Sequence, residues 1–140
     1  MGSTMSVATL PRTPGLSAVP AVYTCMRAHH LNAKQARTLV AKGAEPAFVI
    51  AVSPTCPACI SLLQILENMC VQKDSATTHR RLYTMDIDTV RAMWPSLHIT
   101  HVPQAIYVNG AGTPPQLQHV PLATVHDVRN LTRRVVLTPT

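Results

Sequence analysis

The chain has 140 residues, 46% of them hydrophobic and only 13% charged, with a formal net charge of +6. That length holds a single core, and no apolar run approaches the ~20 residues that a membrane helix needs. One Phe, three Tyr and one Trp give no set of rings to stack bases, and no Lys/Arg run exceeds two residues, so nucleic acid is not an expected partner.

Residues 1–18 read as a flexible arm rich in Ser, Thr and Pro, and residues 19–140 as the folded domain. The start Met1-Gly2-Ser3-Thr4-Met5-Ser6 fits a myristoylation pattern, but no polybasic patch supplies a second membrane signal, and a chance match is the simpler reading. Ala21 to Met26 reads as a first short strand from its β-branched and aromatic residues. Asn32 with Gln35 three later forms a capping-box signature. Ala33, Ala36, Leu39 and Val40 line one helical face, and Gly43 ends that helix.

Ala47 to Val52 is apolar throughout, as a parallel strand buried on both faces would be. After Pro54-Thr55-Cys56-Pro57-Ala58-Cys59 a helix is predicted to about Val71, with Cys59, Leu62, Leu63, Leu66, Met69 and Cys70 on its core face. Leu82 to Ile87 is a strand. Asp88 caps a short helix, Thr89 to Trp94, that Pro95 stops. Gln104 to Val108 is a strand followed by the turn signal Asn109-Gly110. Gln116 to Leu122 pairs back as an edge strand interrupted by Pro121. Thr124 caps a last helix with Val125, Val128, Leu131 and Val135 on its apolar stripe. Strands joined through helices imply an α/β fold, a central mixed sheet of four or five strands with helices on both faces.

Cys56 and Cys59 fall at the strand-to-helix junction. Backbone N–H groups at a helix start are unpaired and carry positive partial charge, so a thiolate at Cys56 is favoured there. Pro57 suits the first helical turn, where its missing N–H costs nothing. Cys59, one turn inside, can attack a mixed disulfide formed on Cys56 and release a reduced substrate.

Two blocks, "FVIAVSPTCPACISLLQIL" and "MDIDTVRAMWPSLHITHVPQAIYVNG", make the chain similar to the thioredoxin superfamily over roughly residues 20–137. The resemblance implies a thioredoxin-like fold and a thiol–disulfide oxidoreductase without a cofactor, acting on protein disulfides and dithiols. It implies Cys56 as nucleophile and Cys59 as resolving thiol. It also implies a cis peptide before Pro103 (47 residues after Cys56), and Thr55, Pro57, Val102 and Pro103 around the substrate, with the Val102 backbone pairing to it. The chain departs from the family at Thr55, where Trp is usual, and at Ile50, where a buried acid is usual. Gln64 replaces a helix proline, and Pro121 stands near the place of a substrate-surface glycine.

The rival chemistry is zinc held by Cys56, Cys59, His98 and His101, although an H-x2-H half is tighter than common finger spacing. A non-enzymatic alternative is a structural component of a larger assembly, such as a virus particle or organellar complex, suggested by the low charge and the arm. Cys25 and Cys70 read as separate small buried hydrophobes, a disulfide between them being the less favoured alternative, and His29-His30 as solvated. Four cysteines are too few for a disulfide scaffold. With no secretory leader apparent, the expectation is a cytoplasmic, organellar or intraviral setting rather than classical secretion.

Overall fold

A computed structural model of the chain describes residues 18–41, 43–74, 81–110 and 113–137, the side chains of 134–137 excepted. The elements run α1 (Thr24–Arg27), α2 (Ala33–Leu39), β1 (Ala47–Val52), α3 (Pro57–Val71), β2 (Leu82–Asp86), α4 (Ile87–Met93), a 3₁₀ turn (Pro95–Leu97), β3 (Gln104–Val108), β4 (Gln116–Gln118) and α5 (Val125–Leu137).

The sheet is mixed, four strands in the order β2-β1-β3-β4. β1 runs parallel to β2, with Ile50 opposite Thr84, and antiparallel to β3, with Val49 opposite Ile106. Every residue of β1 is buried, and its alternation divides the core in two. Phe48, Ile50 and Val52 pack with Leu62, Leu63 and Leu66 of α3 and with Val128 and Leu131 of α5. Ala47, Val49 and Ala51 pack on the opposite face with Ala36 and Leu39 of α2 and Val90 of α4. A strand with two buried faces has no place for polar alternation, which is why its sequence is apolar throughout.

Local chemistry sets the helix boundaries. Asn32 Oδ1 accepts the Gln35 N–H at 2.8 Å, and Gln35 Oε1 accepts the Asn32 N–H at 2.9 Å, a complete capping box. Gly43 follows α2 at φ +87°, a backbone region that glycine enters without a Cβ penalty. Thr124 Oγ1 accepts the Asp127 N–H at 3.1 Å at the start of α5. α4 begins two residues earlier than expected, with Asp86 rather than Asp88 at its N-cap position. The edge strand β4 is shorter than Gln116 to Leu122, because the Val120 N–H turns back to the Gln118 carbonyl at 3.0 Å. Residues 1–17 and the Val135 side chain lie outside the described residues, and the arm expectation with them. Ala18, where the description begins, is buried and donates its N–H to Asp86 at 3.0 Å.

The expected first strand, Ala21 to Met26, is not a strand. The Tyr23 N–H closes a turn onto the Pro20 carbonyl at 3.0 Å, and Thr24–Arg27 is helical. The reason lies far away in sequence. The Glu67 carboxylate accepts the N–H groups of Met26 at 2.8 Å and Cys25 at 3.3 Å, capping the start of α1. What remains of a strand is one parallel bridge from His30 to Thr84, extending the sheet beyond β2. His29 and His30 are therefore not simply solvated. His29 lies against the Tyr83 ring, and His30 hydrogen-bonds Thr84 Oγ1 at 2.7 Å and sits 3.4 Å from Asp86. β3 and β4 do pair antiparallel as the expected hairpin, and Gly110 has a further role. Its N–H and carbonyl pair with Ala44 and Gly43 at 3.0 and 2.9 Å, fastening β3 to the α2–β1 loop. Among the described residues no helix is long and apolar enough to cross a membrane.

Candidate active site

β1 ends at Val52, and Ser53 to Thr55 turn the chain into α3. Ser53 Oγ accepts the Thr55 N–H at 3.3 Å and lies 3.1 Å from Thr55 Oγ1, and the Ser53 carbonyl receives the Cys56 N–H at 3.4 Å. Ser53 was not singled out from sequence. The signal for it is local: a Ser-Pro step after a strand is a turn initiator.

Cys56 is the N-cap of α3, extended at φ −95° and ψ 114°, with Pro57 in the first turn. The Cys59 N–H donates to Cys56 Sγ at 3.1 Å. One orphan donor of the helix start is thus aimed at the sulfur, in the way an oxygen cap would receive it. Cys56 is half-buried, Cys59 is fully buried, and both are free thiols. The Cys59 thiol is pushed up to about 12, chiefly by burial and next by its hydrogen bond with Cys56, while the Ser53 backbone works in the other direction. Burial disfavours the thiolate because its charge loses water. Ile50, on β1, is itself completely buried and offers no carboxylate to Cys59.

Across from the thiols, the Val102–Pro103 peptide is cis. The Cys56 thiol donates to the Val102 carbonyl oxygen at 3.5 Å. Four expected site residues, Cys56, Cys59, Val102 and Pro103, therefore converge, while Thr55 and Pro57 flank them on the exposed rim. Beside them runs an open groove of about 600 Å³ lined by Ala58, His101, Val102, Pro103, Pro121 and Leu122, among others. Pro121 lies at this groove.

The zinc ligand set is not assembled. Among the described residues no three His, Cys, Asp or Glu side chains group as metal ligands. His98 is exposed in a left-handed cap at φ 52°, and His101 is exposed and contacts Thr100 Oγ1 at 3.3 Å. The expectation that Cys25 and Cys70 are separate thiols is also corrected. They form a disulfide with Cα atoms 5.9 Å apart, joining α1 to the last turn of α3.

Solved structures share this architecture. The J-Trx1 fragment of ERdj5 matches with a TM-score of 0.57 and 16% identity, over 76% of this chain and 51% of that one, so this chain spans about half of that fragment. Chloroplastic thioredoxin z matches at 0.55 and 16% identity, over 78% of this chain and 94% of its own. Thioredoxin from Trypanosoma brucei brucei matches at 0.54 and 12% identity, over 77% and 89%. No protein-family model matches the chain, and no curated protein sequence matches it significantly. At such identities the likeness is one of fold, and the mixed sheet with helices on both faces is a thioredoxin-like fold.

Proposed function

We propose that the protein is a thiol–disulfide oxidoreductase acting through Cys56 and Cys59 on protein disulfides. The observation that carries this reading is the position of Cys56 Sγ. It is a free, partly accessible sulfur at a helix N-terminus, 3.1 Å from the Cys59 N–H and 3.5 Å from the Val102 carbonyl. Negative charge arriving on Cys56 is met by that N–H and by the helix start. Two of the structural neighbours are thioredoxins, which supports the same class.

In the proposed cycle the Cys56 thiolate attacks one sulfur of a substrate disulfide. The other substrate sulfur leaves as a thiolate and takes a proton. Cys59, after losing its proton, attacks Cys56 Sγ and expels the second substrate sulfur. Substrate gains two electrons and two protons, and the protein is left with a Cys56–Cys59 disulfide. The reverse sequence oxidises a dithiol. Thr55 and Pro57 on the rim, with Val102 and Pro103 opposite, would form the walls against which the substrate lies.

Cys56→Ser should abolish turnover of a protein disulfide. Cys59→Ser should permit the first attack only and accumulate a mixed disulfide that identifies the partner by mass spectrometry. Full turnover by Cys56→Ser would sink the proposal.

A further inference from the structure

The Cys25–Cys70 disulfide lies outside the chemistry just described. Cys59 and Cys70 both sit on α3, eleven residues apart. At 1.5 Å per residue that is roughly 16 Å, far beyond the contact that thiol–disulfide exchange requires. The two pairs therefore cannot exchange electrons directly within one chain.

The disulfide has a definite mechanical position. It holds α1, which stands where the missing first strand would have run. The segment 18–28 supplies Ala18, Val19 and Met26 to the same buried cluster as Cys59 and Leu62. At one end Ala18 lines a cavity of about 370 Å³ with Ser53, Pro54 and Thr55, the loop that leads into Cys56. At the other end the chain is laddered to β2, where the Thr84 N–H donates to the His29 carbonyl at 3.0 Å and the Leu31 N–H donates to the Thr84 carbonyl at 2.9 Å. Between these anchors the covalent tie at Cys25 and the Glu67 contacts hold the segment down.

We propose that Cys25–Cys70 is a second redox site, chemically independent of Cys56–Cys59, that latches segment 18–28 onto the buried cluster to which Cys59 belongs. Its co-reactant is a dithiol reductant. Cys25 is half-buried while Cys70 is only 2% exposed, so the attack falls on Cys25 Sγ. The Cys25–Cys70 bond breaks, Cys70 leaves as a thiolate and is protonated, and a mixed disulfide forms on Cys25. The reductant's second thiol then displaces Cys25. Two electrons and two protons reach the protein, and the reductant becomes a disulfide. The Glu67 carboxylate beside Cys25 repels the incoming thiolate, so this site reacts after Cys56. With the bond open, α1 is kept only by hydrogen bonds and by the burial of a few side chains, and local opening becomes more frequent. The latch stands whatever reaction Cys56 performs, because it concerns only the packing of segment 18–28 on that cluster.

The test compares full-length wild type, oxidised at Cys25–Cys70 with Cys56 and Cys59 verified as free thiols, with Cys25→Ala/Cys70→Ala and with wild type reduced by a phosphine. Native-state hydrogen exchange reads the Arg27, Ala28 and His29 amides, which donate to Tyr23, Cys25 and Met26. Iodoacetamide labelling reads Cys59. Both should quicken at least tenfold in the two open-latch samples, with the β1 amides little changed. The reduced wild type serves if the double variant does not fold. Unchanged exchange and labelling with the bond verified open would overturn the latch, as would peptide mapping that finds no Cys25–Cys70 linkage in the oxidised protein.

Discussion

Raising the pH should accelerate the second half of the proposed reaction steeply and over an unusually wide range. Cys59 holds its proton up to about 12, where the ordinary thiol value is 9.0. At neutral pH a shift of that size lowers the thiolate fraction by roughly a factor of 10³. The more basic thiolate is intrinsically faster by about 20-fold at a Brønsted slope of 0.4–0.5, which leaves a net loss of about 50-fold. The sign follows from the acid: the protonated thiol is unreactive, so each pH unit below the pKa adds about a factor of ten in nucleophile. Burial, the leading cause of the shift, persists when Cys56 is in a mixed disulfide, while the upward contributions of the Cys56 thiol are lost, so these factors are upper bounds for the resolving step. A small aromatic disulfide in excess separates the steps, because it releases one coloured thiol on attack by Cys56 and a second when Cys59 resolves. The slow phase should rise about tenfold per unit from pH 7 to 10 and vanish in Cys59→Ser. A slow phase that levels off below pH 9 would refute the argument and point to a base beside Cys59.

Three further outcomes follow from the fold. Gly110→Ala should destabilise by more than about 2 kcal/mol in denaturant melts, because a Cβ there would meet the carbonyl oxygens of Ala41 and Ala44 at 2.6 Å, backbone atoms that cannot step aside. Asn32→Ala should cost about 1 kcal/mol by the same measurement, since both hydrogen bonds of its capping box are present. Deleting residues 1–17 while keeping Ala18, whose N–H binds Asp86, should leave stability within about 0.5 kcal/mol. A larger loss would show that the arm packs on its own domain.

The elements that were legible in the sequence are those whose cause is local or strongly periodic. β1 announces itself by an unbroken apolar run. α3 does so by Pro57 in its first turn and six apolar residues at helical spacing, all six of them buried. The dithiol facing Val102–Pro103 was legible only because the two blocks resemble a known family. Where the sequence misled, the deciding partner was remote. Val22, Tyr23 and Thr24 favour a strand locally, but Glu67 and Cys70, more than forty residues on, hold Thr24–Arg27 as a helix. The Cys25–Cys70 pairing depends on α1 crossing the end of α3, which no spacing of 45 residues reveals. The turn signal Asn109-Gly110 does precede the antiparallel β3–β4 pair, but the close approach of Gly110 to Gly43 and Ala44 left no mark in the sequence.

In the proposed function Cys56 and Cys59 form one reversible two-electron couple. Equilibrating the protein in glutathione redox buffers, quenching with acid and mapping peptides by mass spectrometry tests it directly. An intramolecular Cys56–Cys59 disulfide should replace the dithiol in a single transition with a two-electron slope, while Cys25–Cys70 follows its own curve. A Cys56 that accumulates as a stable glutathione adduct, with Cys59 remaining a free thiol across the whole range, would contradict it.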